Sequence, residues 1–313
     1  MLNTKQFVNL IPYVLRSVPY IHQSHTCKAY CALEQLFALK PHLPDDVWTY
    51  CASIITDDEP KVKGVMIPEL MGIERVVDHT SGRNFGPDWI LGRGLMPLSY
   101  WAMHKKVEQQ GFEAVVKEYI DKALAQPRFL GHEISILSAA WRFYQDVVVG
   151  DSDEERQVLF LQRFTEFVTV TFAHGDQGVI EHCALGKAPI SEAELLPQAL
   201  CNPGFFGHHI LAFVWGNRMR PLLNQEQQEQ LSLSQMSLFG AADVQEASKV
   251  CPLDVEWDDH DFDVHLTEFF RNGPKNIHQI TLAEALLWCW SNAQEHRRLI
   301  AANLLCFTKA TLP

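Results

Sequence analysis

The sequence predicts an all-α, multi-helical fold, and three observations carry that expectation. Apolar residues recur at helical spacing through most of the 313 residues. Strand-like alternation is nearly absent: "VTVTF" at 168–172 is the one β-leaning patch, and its neighbours favour helix. Proline, glycine and capping residues punctuate the chain at intervals that suit helices of ordinary length. With 47% apolar residues, eight Trp and eighteen Phe, there is ample material for a packed interior, expected as one helical domain over 1–313.

The elements follow in order. "FVNLIPYVLRSV" has helical spacing but is interrupted by Pro12. "YIHQSHTCKAYCALEQLFALK" runs until the two prolines of "PHLPDD", and "DDVWTYCASII" is a short helix with acids in its first turn. Residues 60–97 are rich in Gly and Pro and read as an irregular segment holding one short helix near 68–77. "LSYWAMHKKVEQQGFEAVVKEYIDKALAQ" makes two helical pieces around Gly111, ended by Pro127. Capping boxes are expected at Ser152 with Glu155, Ser191 with Glu194 and Thr281 with Glu284, the last opening one helix that runs on through "EHRRLIAANLLCF". "NQEQQEQLSLSQ" is a polar helix start or a solvated connector, and "VEWDDHDFDVH" at 255–265 is a surface loop by its charge.

Composition narrows the function classes. A net charge of −12, a pI near 5.6 and no basic run argue against nucleic acid as a partner. No apolar run has a membrane span's length and the first residues lack a secretory pattern, so a cytoplasmic protein is expected. The eight cysteines contain no C-x-x-C pair and read as reduced thiols. No G-x-S-x-G elbow or Walker sequence occurs, "GRGL" at 92–95 lacks the rest of a dinucleotide fingerprint, and the paired E-x-x-H motif of di-iron bundles is missing.

One pattern recurs. "SHTCKAYCALEQL", "GHEISILSAAWRFY", "GHHILAFVWGNRM" and "IHQITLAEALLWCW" place His25, His132, His208 and His278 near the starts of apolar helices. A helix N-terminus carries partial positive charge, so an imidazole there stays neutral, the form that binds a metal or accepts a proton. Converging at one end of a bundle, the four would make a catalytic or metal site. His132, His208 and His278 are its metal-ligand candidates, for iron, zinc or copper. Trp141, Trp215 and Trp288 would line an apolar pocket behind them. His22, three residues before His25, and His209 are further polar contacts for a ligand. The bland alternative is that each histidine bonds a buried carbonyl. Arg142 and Arg218 are expected to pair with acids or carbonyls.

The order "PDWILG…GFEAVVKEYI…FLGHEISILSAAWRF" resembles the questin oxidase-like family, through Trp89, Leu91, Gly92, Gly111, Glu113, Tyr119 and His132. The other His-headed segments fall where that family's would be expected, so the resemblance spans most of the chain as scattered short motifs. It implies a helical monooxygenase of Baeyer–Villiger type, with NADPH as electron source and a flat aromatic or polyketide-like ketone as substrate. Against it stands a non-catalytic helical protein that binds a small apolar ligand, haem or a metal through the same histidines. A third reading is an interaction module forming a homodimer through an exposed helix face.

Overall fold

The computed structural model describes residues 5–18, 25–62, 72, 75–77, 85–125, 131–149, 154–173, 191–240 and 249–309. Their helices are α1 (Lys5–Val8), α2 (Ile11–Arg16), α3 (His25–Leu39), α4 (Asp45–Asp57), α5 (Pro87–Arg93), α6 (Leu98–Ala125), α7 (His132–Phe143) and α8 (Glu154–Phe172). After these come α9 (Leu195–Cys201), α10 (His208–Met219), α11 (Gln225–Gly240), α12 (Asp259–Asn272), α13 (Ile277–Asn292) and α14 (Arg297–Lys309). Apart from an isolated bridge between Ser17 and Lys61, no strand pairing occurs among the described residues. The fold is all-α, and "VTVTF" lies within α8.

Several boundaries have simple causes. Pro12 sits in the first turn of α2, where its missing N–H costs nothing, so the break falls before it. Gly111, at φ 80° and ψ 156°, divides α6 into the two expected pieces. Ser191 and Glu194 form their reciprocal capping box, which opens a 3₁₀ turn before α9.

Four expectations are corrected. The span 60–97 is not irregular throughout: Pro87 starts α5, and Gly94, left-handed at φ 61°, ends it. Of the helix expected near 68–77, only residues 72 and 75–77 are described, and these are helical. The acidic run at 255–265 is largely helix, because Asp258 caps α12 through the N–H of Asp261, whose carboxylate answers the N–H of Asp258. Its acids serve the positive end of that helix. Thr281 and Glu284 cap nothing: Asn276 caps α13 through the N–H of His278, and Thr281 donates to the carbonyl of His278. That helix also stops short of "EHRRLIAANLLCF", because Ala293 leaves helical geometry (φ −136°, ψ 66°) and a 3₁₀ turn leads into α14. Ser152 and Pro127 lie outside the described residues.

Helix α13 is the centre of the molecule. Twelve of its residues are buried, on every side of the helix. Its carboxylate Glu284, 1% exposed, is held by both terminal nitrogens of Arg218 on α10. That guanidinium also lies over the ring of Trp215, so α10 and α13 are joined by charge and by packing. The expected arginine pairings hold, since Arg142 reaches Asp146 one turn on.

Four helices close a ring: α3 packs on α13 and on α7, and α10 packs on α7 and on α13. Two glycines permit this. Gly131 and Gly207 precede α7 and α10 in the left-handed conformation, at φ 61° and 74°. A Cβ on Gly207 would lie 2.6 Å from Leu282 of α13, and one on Gly131 would lie 3.0 Å from Ala212 of α10. Among the described residues no helix is long and apolar enough to cross a membrane.

Candidate metal centre

The ring brings four N-termini to one place, and each supplies a histidine. His25, His132 and His208 are the first residues of α3, α7 and α10, and His278 is the second of α13. Their contacts follow the ring in order. Nε2 of His132 lies 3.4 Å from Nε2 of His25 and 3.0 Å from Nε2 of His208. The His278 ring stands 4.6 Å from that of His25 and 5.1 Å from that of His208, centroid to centroid. One ligand nitrogen each from His25, His132 and His278 falls within 4.8 Å of the others. Three of the four are buried, His25 and His132 at 7% exposed and His208 at 2%, and His278 is partly buried.

Second contacts orient the rings. His208 donates from Nδ1 to the carbonyl of Phe205, so its Nε2 presents a lone pair to the cluster. Nδ1 of His25 lies 3.6 Å from the carboxylate of Glu59, which also takes the N–H groups of His25 and Thr26 and the hydroxyl of Thr26. Glu59 therefore satisfies the start of α3 and fixes His25 at once. The stretch "PGFFGHH" does the same for α10. Phe206 is held left-handed at φ 51°, ψ 24°, which costs a non-glycine residue about 1–3 kcal/mol. The turn lays the Phe206 ring 4.9 Å from His278 and the Phe205 ring 6.0 Å from His208, both near parallel.

Electrostatics keep the imidazoles neutral. Burial, and then the charge of Lys28, hold His25 well below the ordinary histidine range. His132 is lowered by burial and next by His208, and His208 and His278 are lowered by burial and next by a neighbouring imidazole. Lys28 acts on all four. It is fully buried, its Nζ has no hydrogen-bond partner, and burial lowers it to about 8. Burial also pushes the Glu59 carboxyl up, against the bonds from Thr26 and His25.

The spacing suits a metal. Imidazole nitrogens at about 2.0–2.1 Å from a tetrahedral ion stand about 3.3 Å apart, close to the 3.0 and 3.4 Å seen here. Lys28 and the four positive helix ends oppose a cation. Each helix end is worth about 0.3–1 kcal/mol, up to about 2 in buried geometry, against about 10–16 kcal/mol for a structural zinc site. The nitrogen donors win.

Of the residues expected in a site, the structure brings together His25, His132, His208 and His278. His209 turns away, donating from Nδ1 to the carbonyl of Asn202 at 2.6 Å and packing on Phe239. Trp141, Trp215 and Trp288 lie seven to ten residues beyond their histidines, about 10–15 Å along their helices. Trp141 stacks with Phe112 and Tyr144, and Trp288 meets Phe213. None of these three rings contacts an imidazole of the cluster in the described aromatic pairs. His22 lies outside the described residues.

Sequence reading missed Lys28, Glu59 and the Phe205–Phe206 turn. Lys28 had a signal: it is one helical turn after His25, inside an apolar helix. Glu59, in "TDDEP", looked like any solvated acid.

Comparisons with protein-family models, curated proteins and solved structures find no match to this chain. Fold and site define it as an all-α protein with a buried four-histidine cluster at the meeting point of four helix starts.

Proposed function

We propose that the protein is a metal-dependent oxidoreductase that uses dioxygen to oxygenate a flat aromatic or polyketide-like ketone, as the resemblance to the questin oxidase-like family implies. The observation that carries the metal is the trio His25, His132 and His278, whose ligand nitrogens fall within 4.8 Å of one another. His25, His132 and His278 would hold an ion of iron, copper or zinc, and a redox-active one would supply the electron transfer that dioxygen needs. The Phe205 and Phe206 rings offer flat apolar faces beside the imidazoles, the kind of surface an aromatic ketone stacks on. Phe205 is 43% exposed, which puts that surface at the solvent side of the site.

The chain's own residues have defined tasks in this reading. The neutral imidazole of His208, outside that trio and with Nδ1 engaged by the Phe205 carbonyl, would take the proton of a phenolic substrate at Nε2. The helix N-termini and Lys28 stabilise the phenolate that results, raising the ring's electron density toward oxygen. Oxygen insertion of Baeyer–Villiger type consumes ketone, dioxygen, a proton and a two-electron reductant, and gives ester and water. NADPH is the reductant the resemblance suggests. The described residues show no strand–glycine turn–helix phosphate cradle for it, and no step is assigned to it here.

One observation favours the alternative, a non-catalytic metal or ligand binder. Nε2 of His208 stands 3.0 Å from Nε2 of His132, and as a fourth ligand it would saturate a tetrahedral ion, as in closed structural sites.

Elemental analysis of dialysed protein, with oxygen-uptake assays on hydroxylated anthraquinones plus NADPH, tests both. We expect about one transition-metal ion per chain, lost in His132→Asn, and uptake that depends on it. Metal without uptake would leave the binder; a metal-free, inert protein would end both readings.

A further inference from the structure

The face of α7 that starts at His132 continues along the helix through Ile136 and Ala140, at positions i+4 and i+8. Those two side chains open into a second space, an apolar cleft of about 30 Å³. Its other walls include Leu15 of α2, Cys27 of α3, and Phe160 and Phe164 of α8. Cys27 is two residues on from His25, and Ile136 and Ala140 lie about 6 and 12 Å along α7 from His132, so the cleft starts about one helical turn from the histidines. Its polar lining residue is Arg163, whose Nη2 is engaged by Glu166 at 2.7 Å.

Size, lining and position each restrict what this space takes. A volume of about 30 Å³ matches a molecule of two or three atoms, far from the hundreds of Å³ of an organic-ligand pocket. Walls of Ile, Leu, Ala and Phe give water few partners in this partly open cleft, and enclosed cavities of such lining take up apolar guests, xenon among them. Nε and Nη1 of Arg163 have no partner, so a water held by the guanidinium is the rival occupant. The single stripe His132, Ile136, Ala140 joins cleft to cluster along one helix.

We propose that this cleft is a binding site for a small apolar gas, and that its guest is dioxygen on the way to the histidine cluster. The proposal rests on the oxygen-dependent reading above and adds the place where the co-substrate waits. No covalent step occurs in the cleft.

Krypton, apolar and close to dioxygen in size, is the probe. Crystals of the metal-loaded protein under krypton pressure should show an anomalous peak between Ile136, Ala140 and Phe164. In solution Ala140→Met, which fills the space, should raise the KM for dioxygen several-fold, with metal content and the KM for the aromatic substrate unchanged. Should that variant fold poorly, Ile136→Phe, which also adds volume to the cleft, provides the same reading. A cleft without krypton, or one holding a water bonded to Arg163, overturns the gas site. Krypton bound in a protein that consumes no oxygen overturns the supply role, and the fault then lies with the functional reading. Krypton bound, oxygen consumed and an unchanged KM for dioxygen in the filled variant overturns the supply role alone.

Discussion

Nε2 of His25 and Nε2 of His132 stand 3.4 Å apart, although 107 residues separate them in sequence. Their helices meet because α3 and α7 pack directly, and both rings are buried where their helices begin. Behind His25 the carboxylate of Glu59 stands 3.6 Å from Nδ1.

That carboxylate sets the first expectation. Outer partners of a ligating histidine are worth about 10–100-fold in metal affinity. Glu59→Gln keeps an acceptor at the start of α3 and removes the charge behind His25. Metal affinity measured by competition with a chelator should fall by about that range, while the circular dichroism spectrum stays helical. Unchanged affinity would place Glu59 in a capping role only.

Lys28 gives an expectation of opposite sign. Its amine is buried and has no hydrogen-bond partner among the described residues; the Glu59 carboxylate favours its charge, but burial outweighs that. A buried unsatisfied polar group costs about 1–3 kcal/mol, and more when charged. Lys28→Met should therefore raise the urea midpoint of the metal-free protein while lowering oxygen uptake. A less stable variant would mean that the amine has a structural partner.

Acid should unfold the metal-free protein early. The folded state holds four imidazoles neutral, with their titration pushed down by burial. Unfolded histidine takes a proton near pH 6.5, so below that the unfolded chain binds more protons than the folded one. Stability is full above pH 7 and falls as pH drops, by about 1.4 kcal/mol per unit for each histidine. Glu34, Asp58, Glu59 and Glu166, raised by burial, work in the other direction, and His104, lowered by burial, adds to the four. Lys28, near 8, is protonated in both states within this window. Urea midpoints at pH 7.5 and 5.5 check the slope; equal midpoints would show that the imidazoles are already wet.

The joint between α10 and α13 should be costly to break. Arg218→Met leaves Glu284 charged and 1% exposed, without its partner. Losing one side of such a pair costs about 3–5 kcal/mol. Chemical denaturation measures it. Arg218→Met with Glu284→Leu should recover most of the loss, and a double variant as unstable as the single one would assign the effect to the contact with Trp215 instead.

Gly207→Ala meets two obstacles: φ of 74° and a Cβ 2.6 Å from Leu282. Left-handed geometry alone costs a non-glycine residue about 1–2 kcal/mol. The variant should lose at least that much and bind metal more weakly, because His208 follows directly. Thermal denaturation with and without added metal separates the two effects.

Much of this was legible in the residues themselves. Helical spacing marked α3, α4 and α6 with its Gly111 break, because local periodicity and backbone freedom decide them. The four His-headed starts were visible for the same reason, each histidine falling where an apolar run begins. Acidic "DDHDFD" misled, since a negative charge that solvates a loop also caps a helix, and only the backbone tells which. Thr281 with Glu284 matched the spacing of a capping box, yet Glu284 was needed by Arg218, a partner 66 residues away. Lys28 and Glu59 stayed hidden because their meaning comes from burial and from neighbours, which no local pattern encodes. The tryptophans pointed to the right helices and the wrong ends of them.

The order of the ring along the chain has a last consequence, for biosynthesis. Its four histidines come from residues 25, 132, 208 and 278, so a chain still being made presents at most three until α13 emerges. A zinc finger can use its ion to organise a short segment as soon as that segment exists. Here no short segment contains a complete ligand set, and each added pair must first close a long loop. An ion held by these histidines could not guide early folding; it would be admitted only at the end. Metal uptake would then serve as a proofreading signal, registering that distant parts of one polypeptide have found each other.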